Sequence, residues 1–87
     1  MNHELKTDPA MFQALIDGDK TYEIRKDDRR FAVGDTLTLR ETVNDGADMA
    51  LGAPLEYTGR TTGRLVTHIL RGPIYGVKEG WAILSCR

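Results

Sequence analysis

The sequence contains few of the residues that build disulfides and metal sites. It has 87 residues, with one cysteine, Cys86, and two histidines, His3 and His68. A single cysteine forms no internal disulfide, and no Cys-x-x-Cys pair or clustered histidines give the spacing of a zinc site. We therefore expect a protein that folds without disulfides and holds neither a metal nor a cofactor.

Long apolar runs and an excess of one charge are also missing. No apolar stretch approaches the roughly 20 residues that a membrane-spanning helix requires, and residues 1–6 lack the apolar segment of a secretory signal peptide. Twelve basic and thirteen acidic residues give a net charge of −1, whereas a protein that coats nucleic acid carries a basic excess. These absences predict a cytoplasmic protein that does not bind membranes.

One short helix is marked near the start of the chain. Asp8 suits the N-cap, Pro9 suits the first helical turn, and Gly18 suits the stop. Between them, apolar residues recur at helical spacing; these are Met11, Phe12, Leu15 and Ile16. The length of the chain fits a single domain over residues 1–87, since two domains would leave neither with enough core.

Alternating apolar and polar residues predict strands in the rest of the chain. Lys6 lies in a first strand, and further strands are predicted at residues 20–25, 36–40, 64–70 and 81–85. The segment 64–70 is apolar on both faces and is predicted to be central, whereas residues 43–58 are predicted to form a long loop. We expect an α+β fold whose strands form a small closed or nearly closed, monomeric barrel, because closure hides the sheet edges.

The most informative segment is 18–25, Gly-Asp-Lys-Thr-Tyr-Glu-Ile-Arg. Its alternation predicts that Tyr22 and Ile24 face the core and that Glu23 and Arg25 face away from it. Arg25 offers a rigid fork of donors, and Glu23 accepts hydrogen bonds from amide or amino groups, which suits a polar planar ligand. The same pattern is typical of a solvated strand face with cross-strand ion pairs, so both interpretations stay open here.

The pattern Gly-x-Lys-Thr-x-Glu-x-Arg resembles the ASCH domain of the PUA-like superfamily, in a compact bacterial and phage branch of it. Further matching segments follow the same order at residues 3–6, 33–35, 57–60 and 76–84. The resemblance covers nearly the whole chain except residues 43–55. It implies a small mixed β-barrel with one or two short helices and a cleft suited to a nucleotide or a base.

The resemblance also implies an activity. Some small relatives hydrolyse the amide of N4-acylated cytidines with a Lys, a Thr and a Glu, and others are proposed to bind RNA. The lysine matches Lys20, whereas the threonine position holds Glu23, and the C-terminal acid has no counterpart in this chain. The resemblance thus favours an amidohydrolase of N4-acylated cytosine nucleosides, such as N4-acetylcytidine. The alternatives are a non-catalytic module that binds RNA or a modified base, and an accessory protein whose cleft engages a protein partner.

Without that threonine, three residues are candidates for catalysis. Glu23 is the candidate base that activates a water molecule, and Lys20 is the candidate acid and oxyanion donor. Lys20 acting as the base would require strong desolvation. Thr21 is a third-choice nucleophile, predicted to share the face of Glu23.

Five residues are candidates for substrate binding. Lys6 and Arg25 are cations that can steady a developing oxyanion. Tyr57 and Trp81 can stack on a base, although each also suits packing at the rim of a core, and Tyr75, in a loop between glycines, is expected to face the ligand.

Three remaining residues are predicted to be structural. His3 is interpreted as a surface histidine near the terminus, and His68 as a half-buried histidine with a hydrogen-bond partner. Cys86 has no activating neighbour in the sequence and is predicted to be inert.

Overall fold

A computed structural model describes residues 1–87 as five strands and two short helices. The strands are β1 (Asn2–Thr7), β2 (Tyr22–Lys26), β3 (Thr36–Thr42), β4 (Tyr57–Arg71) and β5 (Trp81–Cys86), and the helices are α1 (Pro9–Ile16) and α2 (Gly46–Ala50). The predicted α+β class is therefore confirmed. Neither helix has the length and hydropathy needed to cross a membrane.

The strands form one mixed sheet in the order β1-β3-β4-β5-β2. β1 runs parallel to β3, and every other neighbouring pair is antiparallel. The 15-residue β4 is central, as predicted for residues 64–70, but it begins at Tyr57. Its first part pairs with β3 and its last part with β5, with a register shift between Val66 and His68. One long strand therefore joins the two halves of the sheet.

The sheet is open, so the predicted closed barrel is wrong. Its edge strands, β1 and β2, do not pair with each other. Two guanidinium groups span the space between them instead. Arg25 Nη2 donates to the backbone oxygen of Lys6 at 2.8 Å, and Arg29 Nη1 donates to the backbone oxygen of Glu4 at 2.7 Å. Because these side chains donate hydrogen bonds to backbone carbonyls on the free edge of β1, they cover that edge without any backbone hydrogen bonds from a neighbouring strand.

The apolar core lies between the inner face of the sheet and α1. Phe12 and Leu15 of the helix are buried, and α1 packs against β3. Met11 and Ile16 are exposed, so the buried stripe of the helix is narrower than the sequence predicts. The main cluster contains nine buried residues: Leu5, Leu15, Phe31, Leu37, Leu39, Val66, Ala82, Leu84 and Cys86.

Residues 43–56 are ordered by side-chain hydrogen bonds, and they include a helix that the sequence analysis missed. Asp45 caps α2 by accepting a hydrogen bond from the N–H of Asp48 at 2.8 Å. Asn44 donates to the backbone oxygen of Pro54 at 3.0 Å. The polar residues that predicted a long loop thus act as caps and turn residues, and the connection is shorter than expected.

Both histidines differ from their predictions. His3 is buried, because it falls on the inner side of β1. Its Nε2 lies 2.8 Å from Oδ2 of Asp35, and its ring packs edge-on against Phe31 at a centroid distance of 4.7 Å. His68 is exposed, since it follows the irregularity after Val66. The sequence pattern did not reveal either reversal.

The contact between His3 and Asp35 predicts a pH dependence of stability. The hydrogen bond with His3 and that from the Ala32 N–H lower the pKa of Asp35 from 3.8 to about 2, although desolvation opposes them. A lowered folded-state pKa contributes stability above the unfolded pKa, and this contribution disappears as the pH falls from about 4 to about 2. We expect Asp35→Asn to reduce the free energy of unfolding at pH 7. We also expect this free energy to fall less steeply in the variant than in the wild type between about pH 4 and pH 2, as measured by urea unfolding at several pH values.

Asp19→Asn is the matched control for that measurement. Asp19 is exposed, and its carboxylate takes part in no hydrogen bond or ion pair. Equal pH profiles for the Asp19→Asn and Asp35→Asn variants would show that the Asp35 carboxylate contributes nothing specific.

Candidate functional site

Two of the three charged residues of β2, Glu23 and Arg25, point into the protein, whereas Lys26 is exposed. Glu23 is only 3% exposed, whereas Tyr22 and Ile24 are 43% and 53% exposed. The predicted alternation is therefore present, but its two faces are exchanged. Apolar side chains usually determine the buried face of a strand. Here the inner face carries the Glu23 carboxylate and the Arg25 guanidinium, which form hydrogen bonds with each other. The prediction that the apolar face of β2 is the buried one is therefore wrong.

Glu23 binds a different cation with each carboxylate oxygen. Lys20 Nζ donates to Oε1 at 2.6 Å, while Arg25 donates to Oε2 from Nε at 3.1 Å and from Nη2 at 2.8 Å. The three side chains are between 4% and 20% exposed. We call Lys20, Glu23 and Arg25 the buried triad. Removing charges from water is expensive even when they are paired, so such a group is weak evidence for stability and a candidate for function.

The turn after α1 brings Lys20 to Glu23. Gly18 adopts a φ of +80°, which favours glycine, and its N–H donates to the backbone oxygen of Leu15. The N–H of Lys20 then donates to the backbone oxygen of Ala14 at 3.1 Å. The end of the helix thus fixes the backbone of Lys20 immediately before β2 begins. The predicted glycine stop is confirmed, and it also positions the lysine.

The buried triad borders a cleft of about 260 Å³ between the edges of β1 and β2. We call this space the triad cleft. Its opposite wall contains Lys6, Thr7 and Asp8, and Met11 of α1 also lines it. The Lys6 ammonium makes no ion pair within the chain, so it can bind a ligand. Four predicted site residues, Lys6 and the buried triad, are therefore brought together.

Thr21 lies outside the triad cleft. It precedes β2, so it does not continue the strand alternation that places Glu23 inside. Thr21 is exposed and borders a separate depression with Thr67 and Cys86, and its backbone oxygen accepts from the Cys86 N–H at 2.9 Å. The expectation that Thr21 shares the face of Glu23 is therefore wrong, and its position does not suit a nucleophile acting beside Lys20.

The three aromatic candidates also lie outside the triad cleft. Tyr57 begins β4 and stacks on Arg40, whose Cζ lies 3.5 Å from the ring centroid. Tyr75 and Trp81 border a depression of about 450 Å³ on the outer side of β2 and β5. Ile24 lines both this depression and the triad cleft, so the two spaces are adjacent.

Cys86 is buried beside the core. Burial, followed by the negative charge of Glu23, raises the pKa of its thiol above the usual 9.0. A raised pKa reduces the population of thiolate, which is the nucleophilic form. These surroundings agree with the predicted inert character of Cys86.

Sequence analysis missed the part of Arg29 in this region. Asp27 pairs with Arg71 at 2.8 Å and not with the neighbouring Arg29 or Arg30. Arg29 instead reaches β1. Its target is a backbone carbonyl 25 positions earlier in the chain, which no side-chain pattern indicates. Only the arrangement of the two edges could reveal this contact.

The chain is thus a small α+β domain with a buried ion triad at an open sheet edge. It belongs to the family described as Domain of unknown function (DUF3850), whose family model matches residues 2–86. All residues of the triad cleft lie within this match. No curated protein matches the chain.

Proposed function

We propose that this protein is an ASCH-type member of the PUA-like superfamily that hydrolyses the amide of N4-acylated cytosine nucleosides. The observation that carries the proposal is the 2.6 Å contact between Lys20 Nζ and Glu23 Oε1 at the wall of the triad cleft. The contact joins a candidate base and a candidate acid, in a space bordered by further cations. The resemblance of residues 18–25 to the lysine-containing ASCH motif supplies the substrate class. With it we propose a monomeric, cytoplasmic enzyme.

Glu23 and Lys20 have complementary roles in this reaction. Glu23 accepts a proton from water as the water oxygen bonds to the acyl carbon, and the carbonyl oxygen becomes an oxyanion. Lys20 donates one N–H to Glu23 and has two more available for that oxyanion. The oxyanion then re-forms the carbonyl and the carbon–N4 bond breaks as Lys20 donates a proton to N4, after which the proton held by Glu23 passes to Lys20. The products are a free carboxylic acid and cytidine.

Arg25 positions the Glu23 carboxylate, and Lys6 adds positive charge near the oxyanion. Arg25 holds Oε2 of Glu23 with two N–H groups and is itself anchored to the Lys6 carbonyl at 2.8 Å. This contact leaves Oε1 beside Lys20, so the carboxylate has a fixed orientation. The Lys6 ammonium borders the opposite side of the cleft. Fixed positive charge around a developing oxyanion stabilises it more effectively than mobile water does.

A second function is favoured by the same hydrogen bonds. Both oxygens of Glu23 already bind cations, so accepting a proton weakens charge-assisted contacts. The Glu23 carboxylate can accept a hydrogen bond from the exocyclic amino group of a base without weakening its contacts to Lys20 and Arg25, because its oxygens have further lone pairs. We therefore retain a non-catalytic module for a modified base or RNA as the second candidate.

Incubation with N4-acetylcytidine separates the two functions. We expect the wild-type protein to release cytidine and acetate in equal amounts, as followed by chromatography. Lys20→Ala removes the oxyanion donor and is expected to lower the rate by about 100-fold or more. Lys78→Ala is the matched control, since Lys78 is exposed and lies outside the triad cleft. Binding without hydrolysis for acetyl and larger acyl groups would instead support the recognition module.

A further inference from the structure

A second space continues from the triad cleft along the gap between β1 and β2. This chamber has a volume of about 340 Å³, and we call it the guanidinium chamber. Arg25 and Ile24 line both spaces, while Lys26 and Arg29 line only the chamber. The two spaces therefore adjoin at Arg25 and Ile24, and we treat them together as a groove with two compartments.

Positive charge is concentrated in this groove. The two compartments together contain five basic side chains, lysine or arginine, and three carboxylates. The rest of the chain contains seven basic side chains and ten carboxylate side chains. Within the guanidinium chamber, Asp28 is the only carboxylate beside Arg25, Lys26 and Arg29. The groove therefore has an excess of positive charge although the whole chain has a net charge of −1. Such a groove favours an anionic ligand.

The donors of the chamber are fixed but not fully occupied. Arg25 uses Nε and Nη2 for Glu23 and the β1 edge, and its Nη1 donates no hydrogen bond. Arg29 uses Nη1 for the Glu4 carbonyl, which leaves Nε and Nη2 available. Lys26 makes no ion pair. Anchored guanidinium groups with free N–H donors match the oxygen geometry of a phosphate monoester.

The spacing of the compartments suits one small ligand. Glu23 and Lys26 are three positions apart on β2, which corresponds to about 10 Å along the strand backbone, and Lys26 borders the chamber from the exposed side of the strand. A mononucleotide is long enough to place its base in one compartment and its phosphate in the other. A nucleoside in the triad cleft leaves Lys26 and Arg29, which make no ion pair, without an anionic ligand.

Building on the function proposed above, we infer that the substrate is a cytosine nucleotide rather than a nucleoside. Its acylated base lies in the triad cleft, and its phosphate monoester binds Lys26 and Arg29 in the guanidinium chamber.

Binding of unacylated ligands tests this inference independently of catalysis. Titration calorimetry compares cytidine with cytidine 5′-monophosphate at low salt. We expect the nucleotide to bind at least about tenfold more tightly, since charge-assisted hydrogen bonds to phosphate are of that magnitude. Added salt is expected to reduce this advantage. Lys26→Ala and Arg29→Gln are each expected to reduce it while leaving cytidine affinity unchanged.

Lys78→Ala is the matched control, because it removes an exposed lysine outside both compartments. Lys26 makes no intramolecular ion pair, so its variant tests binding without disturbing the Arg29 bridge. Equal affinity for the two ligands would overturn the inference, as would a phosphate advantage that persists in both variants. Tighter binding of an oligoribonucleotide without a terminal phosphate would also overturn it and favour RNA. A nucleotide preference without amide hydrolysis would support the phosphate site and remove the proposed enzyme.

Discussion

Glu23→Gln is expected to lower the turnover of N4-acetylcytidine by at least about 100-fold, the usual scale for loss of a general base. Glutamine preserves the length and shape of the side chain but does not take up the proton of the attacking water. The predicted loss is in kcat, because Lys6 and the walls of the triad cleft still bind the substrate. Steady-state kinetics over a range of substrate concentrations measures this change.

Glu4→Gln is the matched control for the kinetic prediction. Glu4 is an exposed carboxylate on β1 that pairs with Arg40 at 2.9 Å and lies outside the triad cleft. Its replacement removes the same charge from the chain without touching the proposed base. Full activity in the Glu23→Gln variant would remove Glu23 from the mechanism. Equal losses in the Glu23→Gln and Glu4→Gln variants would show a general effect of net charge.

Glu23→Ala is expected to reduce the free energy of unfolding by about 3–5 kcal/mol, because it leaves Lys20 and Arg25 close together without their shared counter-ion. This loss is a large part of the total stability, since small domains have only about 5–15 kcal/mol. Urea unfolding followed by circular dichroism measures it. Partial unfolding of the variant in the absence of denaturant is an expected result.

Replacing the complete triad is expected to have the opposite outcome. The triple substitution Lys20→Met, Glu23→Leu and Arg25→Met removes all three charges and fills the space with apolar side chains. Comparable replacements of buried ionic groups are often neutral or stabilising by about 1–4 kcal/mol. We therefore expect a folded, inactive protein at least as stable as the wild type. A triple variant as unstable as Glu23→Ala would show that the triad serves the fold rather than a function.

Much of the fold follows from local sequence signals. The α1 segment is marked by Asp8, Pro9 and Gly18, and the observed strands overlap every predicted strand. These features depend on residues close together in the chain, so periodicity and turn chemistry predict them. The open sheet edge is different, because it depends on whether β1 and β2 pair across the 14 residues that separate them in the chain. Arg25 and Arg29 cover that edge through backbone carbonyls, which have no sequence signal.

The candidate site was predicted in its residues but not in its orientation. Lys20, Glu23 and Arg25 were selected together from one segment, and the structure joins them through hydrogen bonds. Their burial was missed because charged strand faces are usually solvated, and mutual ion pairing is visible only in three dimensions. Thr21 was misplaced for a related reason, since strand alternation applies only after β2 begins at Tyr22.

An NMR titration locates a cytosine ligand directly and shows whether it binds between the edges of β1 and β2. Cytidine 5′-monophosphate is added to the uniformly ¹⁵N-labelled wild-type protein, and the amide shift changes are assigned. We expect the largest changes at Lys6–Asp8 and at Tyr22–Arg25, where the base binds, and further changes at Lys26 and Arg29, where the phosphate binds. Changes confined to residues 75–78 of the outer depression, or no saturable change anywhere, would rule out binding between these edges.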